Sequence, residues 1–345
     1  MKRPLIGLVA AAMVVALAAC SSSGSGGSGS DSTVSVKTAT GNMASGLNAP
    51  YFVAVAKGYF KAQGIDPSIV ELSGEVSSTT MVQGSVNVNY SGSSSANAAV
   101  QGLPVKVIAS LSNVSTSLIY TADPSVHTLA DIQGKTFGVQ ALGDSYQEAG
   151  DLAFAAEGVD ASKVSFVPLG AGNRTKAIAS GRVAAGALKK SEADALAKQG
   201  FKLRLLLDLG AQNIAQSTGG VATSTSFIAK HNDVLVRYLY AYLQGIQYVQ
   251  AFPDQATAIT LAAKQMQATG MKSADLETSI KQFYVDTPLP DQLGISAAVQ
   301  TQLLDAKKEF LPNVKSGVTT ADVFDFTPIQ QAYQKLDASG WKPVA

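Results

Sequence analysis

Along residues 34–40 apolar and polar positions alternate, the two-residue period of a strand with one covered face. After the loop 41–48, a helix is expected from Pro50, an apt first-turn residue, through Tyr51, Phe52, Val55 and Ala56 to residue 63. Gly64 closes that helix, and 65–72 reads as a second strand. Further strands are expected at 86–90 and 105–110, with a turn at 91–94 and a helix over 95–101 between them. Strand, helix and strand in this rhythm argue for an α/β layer with a mostly parallel sheet.

A second cycle begins after Pro124. Residues 128–132 form a capped helical turn, and strands are expected at 136–140, 164–168, 183–188 and 201–207. Helices alternate with them: 145–157 behind the capping side chains of Asp144 and Ser145, one after Gly172 and Asn173 that Gly181 ends, and 191–199. From Phe227 the pattern is almost wholly helical, over 234–250, 254–268 and further segments to 336, with Tyr238, Tyr242 and Tyr248 reading as helix packing. The reading is therefore two α/β units and a helical tail.

The N-terminus changes the picture. Lys2 and Arg3 precede an apolar run over 5–19, which at about 15 residues is shorter than the roughly 20 a bilayer core needs. It ends in Leu17, Ala18, Ala19 and Cys20, which resembles a bacterial lipobox, and Cys20 is the one cysteine in 345 residues. The expectation is a signal segment over 1–20, lipid attachment at Cys20, and a flexible Ser/Gly tether over 21–32. Gly24, Gly26 and Gly29 spell G-x-G-x-x-G, but with no strand before and no helix after, this reads as linker rather than a dinucleotide motif.

Charge excludes some partners. The chain has 26 Lys and Arg against 25 Asp and Glu, without a block of one sign, so nucleic acid and anionic membrane surfaces are not expected partners. Catalytic signatures are missing too. His127 and His231 lie far from the loops considered below, and neither a C-x-x-C or H-x-x-x-H metal spacing nor a nucleophile elbow or phosphate loop occurs. No cofactor and no metal are expected.

Ligands of open α/β sheets sit beyond the carboxyl ends of the strands, where helix N-termini offer free N–H groups. The candidate contacts follow from that rule: Asn42 after the first strand, Tyr51, and Ser93 and Ser94 in one unit. In the other they are Asp144, Ser145 and Tyr146, Asn173 and Arg174, and Lys189. Six of them have a plainer alternative: helix capping for Ser93, Ser94 and Asp144, core packing for Tyr51, a solvated helix position or a lobe–lobe ion pair for Arg174, and a plain surface position for Lys189.

Several blocks resemble the nitrate/sulfonate/taurine-type solute-binding proteins of ABC importers, a group that includes thiamine-precursor binders. They are Ala49-Pro50-Tyr51-Phe52-Val53-Ala54, Lys57-Gly58-Tyr59-Phe60-Lys61, Leu129-Ala130-Asp131-Ile132-Gln133-Gly134-Lys135, Gly158-Val159-Asp160 and Ala177-Ile178-Ala179-Ser180-Gly181-Arg182-Val183. The chain departs from the family at Ala184-Ala185 and Asn87, where members usually or often carry Asp. The resemblance implies a two-lobed periplasmic-binding-protein-like α/β fold with two crossovers, near 119–124 and 219–226, each lobe a mixed, mostly parallel sheet flanked by helices. Lobe 1 would comprise 33–120 with 224–345, and lobe 2 would comprise 121–223. It further implies a monomer held by lipid on the outer face of the cytoplasmic membrane. That monomer would take a sulfonate, a carboxylate or an aromatic, pyrimidine-like solute into the interlobe cleft and pass it to a permease and its ATPase subunit. A sensor signalling to a membrane partner would use the same cleft, and an enzyme on the same fold is the remaining alternative.

Overall fold

A computed structural model describes residues 33–216 and 219–345; the expected signal segment, Cys20 and the Ser/Gly tether lie outside the described residues. Among the described residues ten strands form two sheets: β1 (Val34–Thr40), β2 (Ile65–Glu71), β3 (Val88–Asn89), β4 (Val105–Ala109), β5 (Ser117–Thr121), β6 (Thr136–Val139), β7 (Ser165–Pro168), β8 (Ala185–Lys189), β9 (Arg204–Asp208) and β10 (Val221–Ser224). The first sheet runs β2-β1-β3-β10-β4 and the second β7-β6-β8-β5-β9. Each is mixed. β1 is parallel to β2 and β3, and β6 to β7 and β8, whereas β10 and β5 run antiparallel to both their neighbours.

The two orders are the same pattern, with the reversed strand in fourth place. In each case that strand is the first the chain lays down after crossing from the other sheet. The crossings lie between β4 and β5, at 110–116, and between β9 and β10, where 209–216 and 219–220 are described. They run side by side, bridged at Val114 and Ala215, with Ser115 N–H donating to Ile214 O at 2.8 Å. The crossovers expected near 119–124 and 219–226 therefore fall earlier. Residues 117–121 are already β5, with alternate positions buried, and Pro124 follows that strand rather than marking the passage.

Alternation along the strands gives each sheet two covered faces. Ile108 joins a core with the helices Ala49–Ala56 and Thr225–Ala251, while Val105 and Val107 join another with Leu303, Leu304 and Phe324. In the second sheet Ala187 and Leu188 likewise belong to different cores. The long helix Thr225–Ala251 starts earlier than the apolar period suggested, because Ser224 caps it by accepting from Phe227 N–H at 3.1 Å. His231 leaves helical geometry and kinks it. The tyrosine stripe does pack inward. Tyr238 hydroxyl lies 2.7 Å from Thr38 and 2.6 Å from Tyr90 hydroxyls, so the buried polar tips satisfy one another.

Candidate binding cleft

Four strand ends meet across the space between the sheets. β1 ends at Thr40 and delivers Gly41 and Asn42; β3 delivers Tyr90 to Ser94; β6 delivers Gln140; β8 ends on Lys189. All of these line one cleft, with Ser45, Leu47 and Phe283 from the first lobe's side and Gly219 from the return crossover. It holds 640 Å³ of empty space counting its mouth, and opens into a 730 Å³ hollow with which it shares Asn42, Ser45, Tyr146, Lys189 and Phe283.

On the first wall, Asn89 shapes the turn. Its side-chain oxygen accepts from Ser91 N–H at 3.0 Å, and its amide donates to Ser77 and Ser95 hydroxyls at 2.9 and 3.1 Å. The helix Gly92–Val100 then begins at the cleft, with its first N–H groups unpaired inside the helix. Gly92 is required there, because a Cβ would come 2.6 Å from the Cα of Gly220. Ser93 and Ser94 are buried at this N-terminus, and Ser93 hydroxyl donates across the lobes to Glu148. Asn42 lines the cleft while its carbonyl accepts from Asn48 amide at 2.9 Å.

On the second wall, Asp144 is the helix cap of its plainer reading. Its carboxylate accepts from Tyr146 and Gln147 N–H at 2.9 Å and from Ala141 N–H at 2.8 Å. Burial pushes its carboxyl up, partly offset by those backbone donors and by Arg174. The cap places Ser145 and Tyr146 at the cleft. The Tyr146 ring covers the Arg174 guanidinium at 3.5 Å, and its hydroxyl donates to Glu192 at 3.4 Å.

Arg174 itself does not line the cleft. It is 1% exposed, pairs with Glu192 and donates to the Ala187 carbonyl, behind Tyr146. Its helix, Ala171–Ala179, buries Arg174, Ala177 and Ile178, a face at three- and four-residue spacing, which turns Asn173 out to solvent. Tyr51 also leaves the cleft. The segment around it is buried on every side, and its ring packs against Phe52, Phe60 and Tyr90.

Lys189 is the cation the cleft does present. It is 6% exposed, and its ammonium donates to Thr116 and Ser117 hydroxyls at 2.9 and 3.0 Å. Among the described residues it has no carboxylate in ion-pair contact. Burial pushes its pKa down to about 8, with Glu192 acting in the other direction.

Sequence reasoning missed Gln140, whose amide donates across the cleft to Gly41 O, and Phe283 on the helix Ser273–Tyr284. Gln140 stands at the end of β6 as Asn42 stands just after β1, so the repeated topology is a signal that finds it. Phe283 comes from the tail and carries no local signal. Neither histidine lines the cleft, and among the described residues no group of three or more His, Cys, Asp or Glu is placed to hold a metal. Among the described residues the arrangement offers hydroxyls, helix N–H groups, the rings of Tyr90, Tyr146 and Phe283 and one cation, which is equipment for holding a molecule.

The family described as NMT1/THI5 like matches residues 47–256. The chain belongs to that family. It is 29% identical over 220 residues to the riboflavin-binding protein RibY of Chloroflexus aurantiacus, a match spanning 62% of this chain and 62% of that protein. Its fold is similar to that of the alkanesulfonate-binding protein SsuA from Xanthomonas axonopodis pv. citri bound to MOPS (TM-score 0.65, 16% identity, 84% of this chain and 98% of that one). It is also similar to the periplasmic nitrate-binding protein NrtA from Synechocystis PCC 6803 (TM-score 0.68, 14% identity, 91% and 92%). The fold expected from the family's sequence blocks, two lobes of periplasmic-binding-protein type each built on a mixed sheet flanked by helices, is the fold of this chain, with five strands in each sheet. These relatives carry binding-protein names.

Proposed function

We propose that this protein is the extracytoplasmic solute-binding component of an ABC importer, closing on a small organic solute and handing it to a permease without turning it over. The observation that carries the reading is the cleft itself. Both sheets aim strand ends at one space, and the polar groups there come from opposite sides. Tyr146 and Phe283 suit a flat ring, and Lys189 suits an acceptor or acidic group on it, so an aromatic or pyrimidine-like solute with a carbonyl, carboxylate or sulfonate is favoured. Riboflavin, named for one relative, has a flat ring of that kind, and the alkanesulfonate and nitrate named for two structural neighbours are anions that would suit Lys189 alone.

The test is a thermal-shift screen of riboflavin, pyrimidines, aromatic acids, alkanesulfonates and nitrate. A true solute at 100 times its dissociation constant adds about 2.7 kcal/mol to stability, and the best compound should be recovered unchanged after incubation. Steady conversion of that compound by the purified protein would make this an enzyme. The location rests on Cys20 and the residues before it. Cys20→Ser should leave the precursor unprocessed and move the protein out of the lipid-modified membrane fraction; normal processing with acylation elsewhere would remove the anchor from the proposal.

A further inference from the structure

One buried carboxylate gathers groups from both lobes. Glu148 projects from the second-lobe helix Ser145–Ala156. Its Oε1 accepts from Lys307 Nζ, and its Oε2 accepts from the Ser93 hydroxyl and, at 3.2 Å, from the Gln216 amide. Lys307 stands on the helix Ala297–Phe310, whose Leu303 and Leu304 pack in the first lobe's core, and its ammonium also donates to Asn97 at 2.7 Å. Gln216 lies in the return crossover. Its Oε1 accepts from Ser115 in the outward crossover at 2.6 Å, and its amide donates to Ser145 O at 2.9 Å. Asp151 sits nearly one turn beyond Glu148, in a hollow it shares with Asn97, Lys307 and Leu311.

We propose that Glu148 is the positioning residue through which closing of the lobes sets the shape of the solute cleft, and that Asp151 makes this closure respond to pH. The first half follows from the partners. Ser93 belongs to the cleft wall, and its hydroxyl is oriented by a carboxylate from the opposite lobe, so the wall takes this form only when the lobes meet. Parting the lobes would separate Glu148 from Lys307 and Ser93 together. A buried ion pair is a poor source of stability but a sharp determinant of geometry, because either charge left buried alone is strongly unfavourable. Both charges can hydrate only in the open form, so the pair divides the protein into two states rather than a continuum.

The second half follows from the crowding of acids. The charged groups facing Asp151 are Glu148 on its own helix and Lys307 on the helix packed against it; Asn97 and Gln147 are neutral. Burial, then Glu148, push the Asp151 carboxyl up to about 7, with Lys307 opposing. In a parted, hydrated seam it returns towards the ordinary carboxylate value of about 3.9. Closing therefore takes up a proton between those values. Closure is firmest on the acid side and weakens as pH rises towards 7.

The inference rests on the cleft being a solute site, but its test uses no solute, so it can fail without touching that reading. Small-angle scattering on the whole protein at about pH 5.5 and about pH 7.5 reads the lobes' separation on either side of the Asp151 transition. The wild type should be near the compact radius of about 20 Å at the lower pH and larger at the higher one. Glu148→Ala should be expanded at both, while melting as one cooperative transition. Asp151→Asn should stay compact at both, because it cannot ionise. Should Glu148→Ala fail to fold, Lys307→Gln removes the opposite arm of the pair and should expand the protein in the same way. Wild-type scattering from whichever of these two folds would overturn the closure role, and a pH response surviving in Asp151→Asn would overturn the role of that carboxyl.

Discussion

Lys189→Met should weaken solute binding by about 2–3 kcal/mol, the scale of a hydrogen bond to a charged group, while leaving the fold intact. Its ammonium is held at the cleft by two hydroxyls rather than by a carboxylate, so nothing else in the site neutralises it. The same arrangement gives the binding a pH dependence of known sign. In the empty cleft the pKa is depressed to about 8. An acidic or strongly accepting solute favours the protonated form and raises that value, so complex formation takes up a proton above pH 8. Affinity should be constant below about 8 and fall roughly tenfold per pH unit above it, until the raised value in the complex is reached. Calorimetry across that range reads both effects, in wild type and in Lys189→Met. Equal affinity in the two proteins would take Lys189 out of the site and leave ring stacking on Tyr146 and Phe283 as the main source of binding. In the empty protein the sign is opposite. A lysine with a lowered folded pKa costs stability that is fully present below about 8, and the cost disappears as pH rises towards the unfolded value near 10.4.

Most of the strand–helix alternation can be read along the chain because each element is half-buried, and its period survives in the sequence. The capped start of Ser145–Ala156 can be read for the same local reason: Asp144 precedes the helix and bonds its first N–H groups. Lys189 can be placed at a strand end, but its burial cannot be read, since lysine is seldom fully buried and its partners, Thr116 at the end of the outward crossing and Ser117 at the start of β5, lie more than seventy residues away. Tyr51 and Arg174 are different. Residues 49–54 are apolar on every side of the helix, which marks a helix sunk in the core. Arg174 shares the spacing of Ala177 and Ile178, which marks it as inward-facing. Both facts were present in the sequence and were outweighed by the chemistry of the side chains. Phe283, Gln216 and Lys307 could not have been found this way. Each reaches the cleft or its seam through pairings with distant segments, and helical periodicity says which face is apolar without saying what will cover it.

Arg174 should prove decisive for the second lobe although it touches no solute. Arg174→Ala removes a guanidinium that is 1% exposed, and with it the ion pair to Glu192, the donor to Ala187 O and the support beneath Tyr146. Breaking a buried pair on one side costs about 3–5 kcal/mol. In a chain of this size that corresponds to a melting temperature lower by roughly 5–8 °C. Arg174→Lys should rescue little of it. A lysine has the charge, but it lacks the planar fork that reaches Glu192 and Ala187 together and the flat face that lies against a ring. Binding should fall as well, through Tyr146 rather than through lost charge at the solute. Tyr146→Phe keeps the ring on the guanidinium and gives up only a long 3.4 Å contact to Glu192, so it should stay near wild type in both stability and affinity. Tyr146→Ala, by contrast, should lose affinity with a smaller loss of stability than Arg174→Ala. Melting curves and titrations on these four proteins separate the roles. If Arg174→Ala melts as the wild type does, and binds a neutral ring as well as wild type but an anionic one worse, the guanidinium reaches the solute after all, and the closed arrangement behind Tyr146 is not the one in which the solute is held.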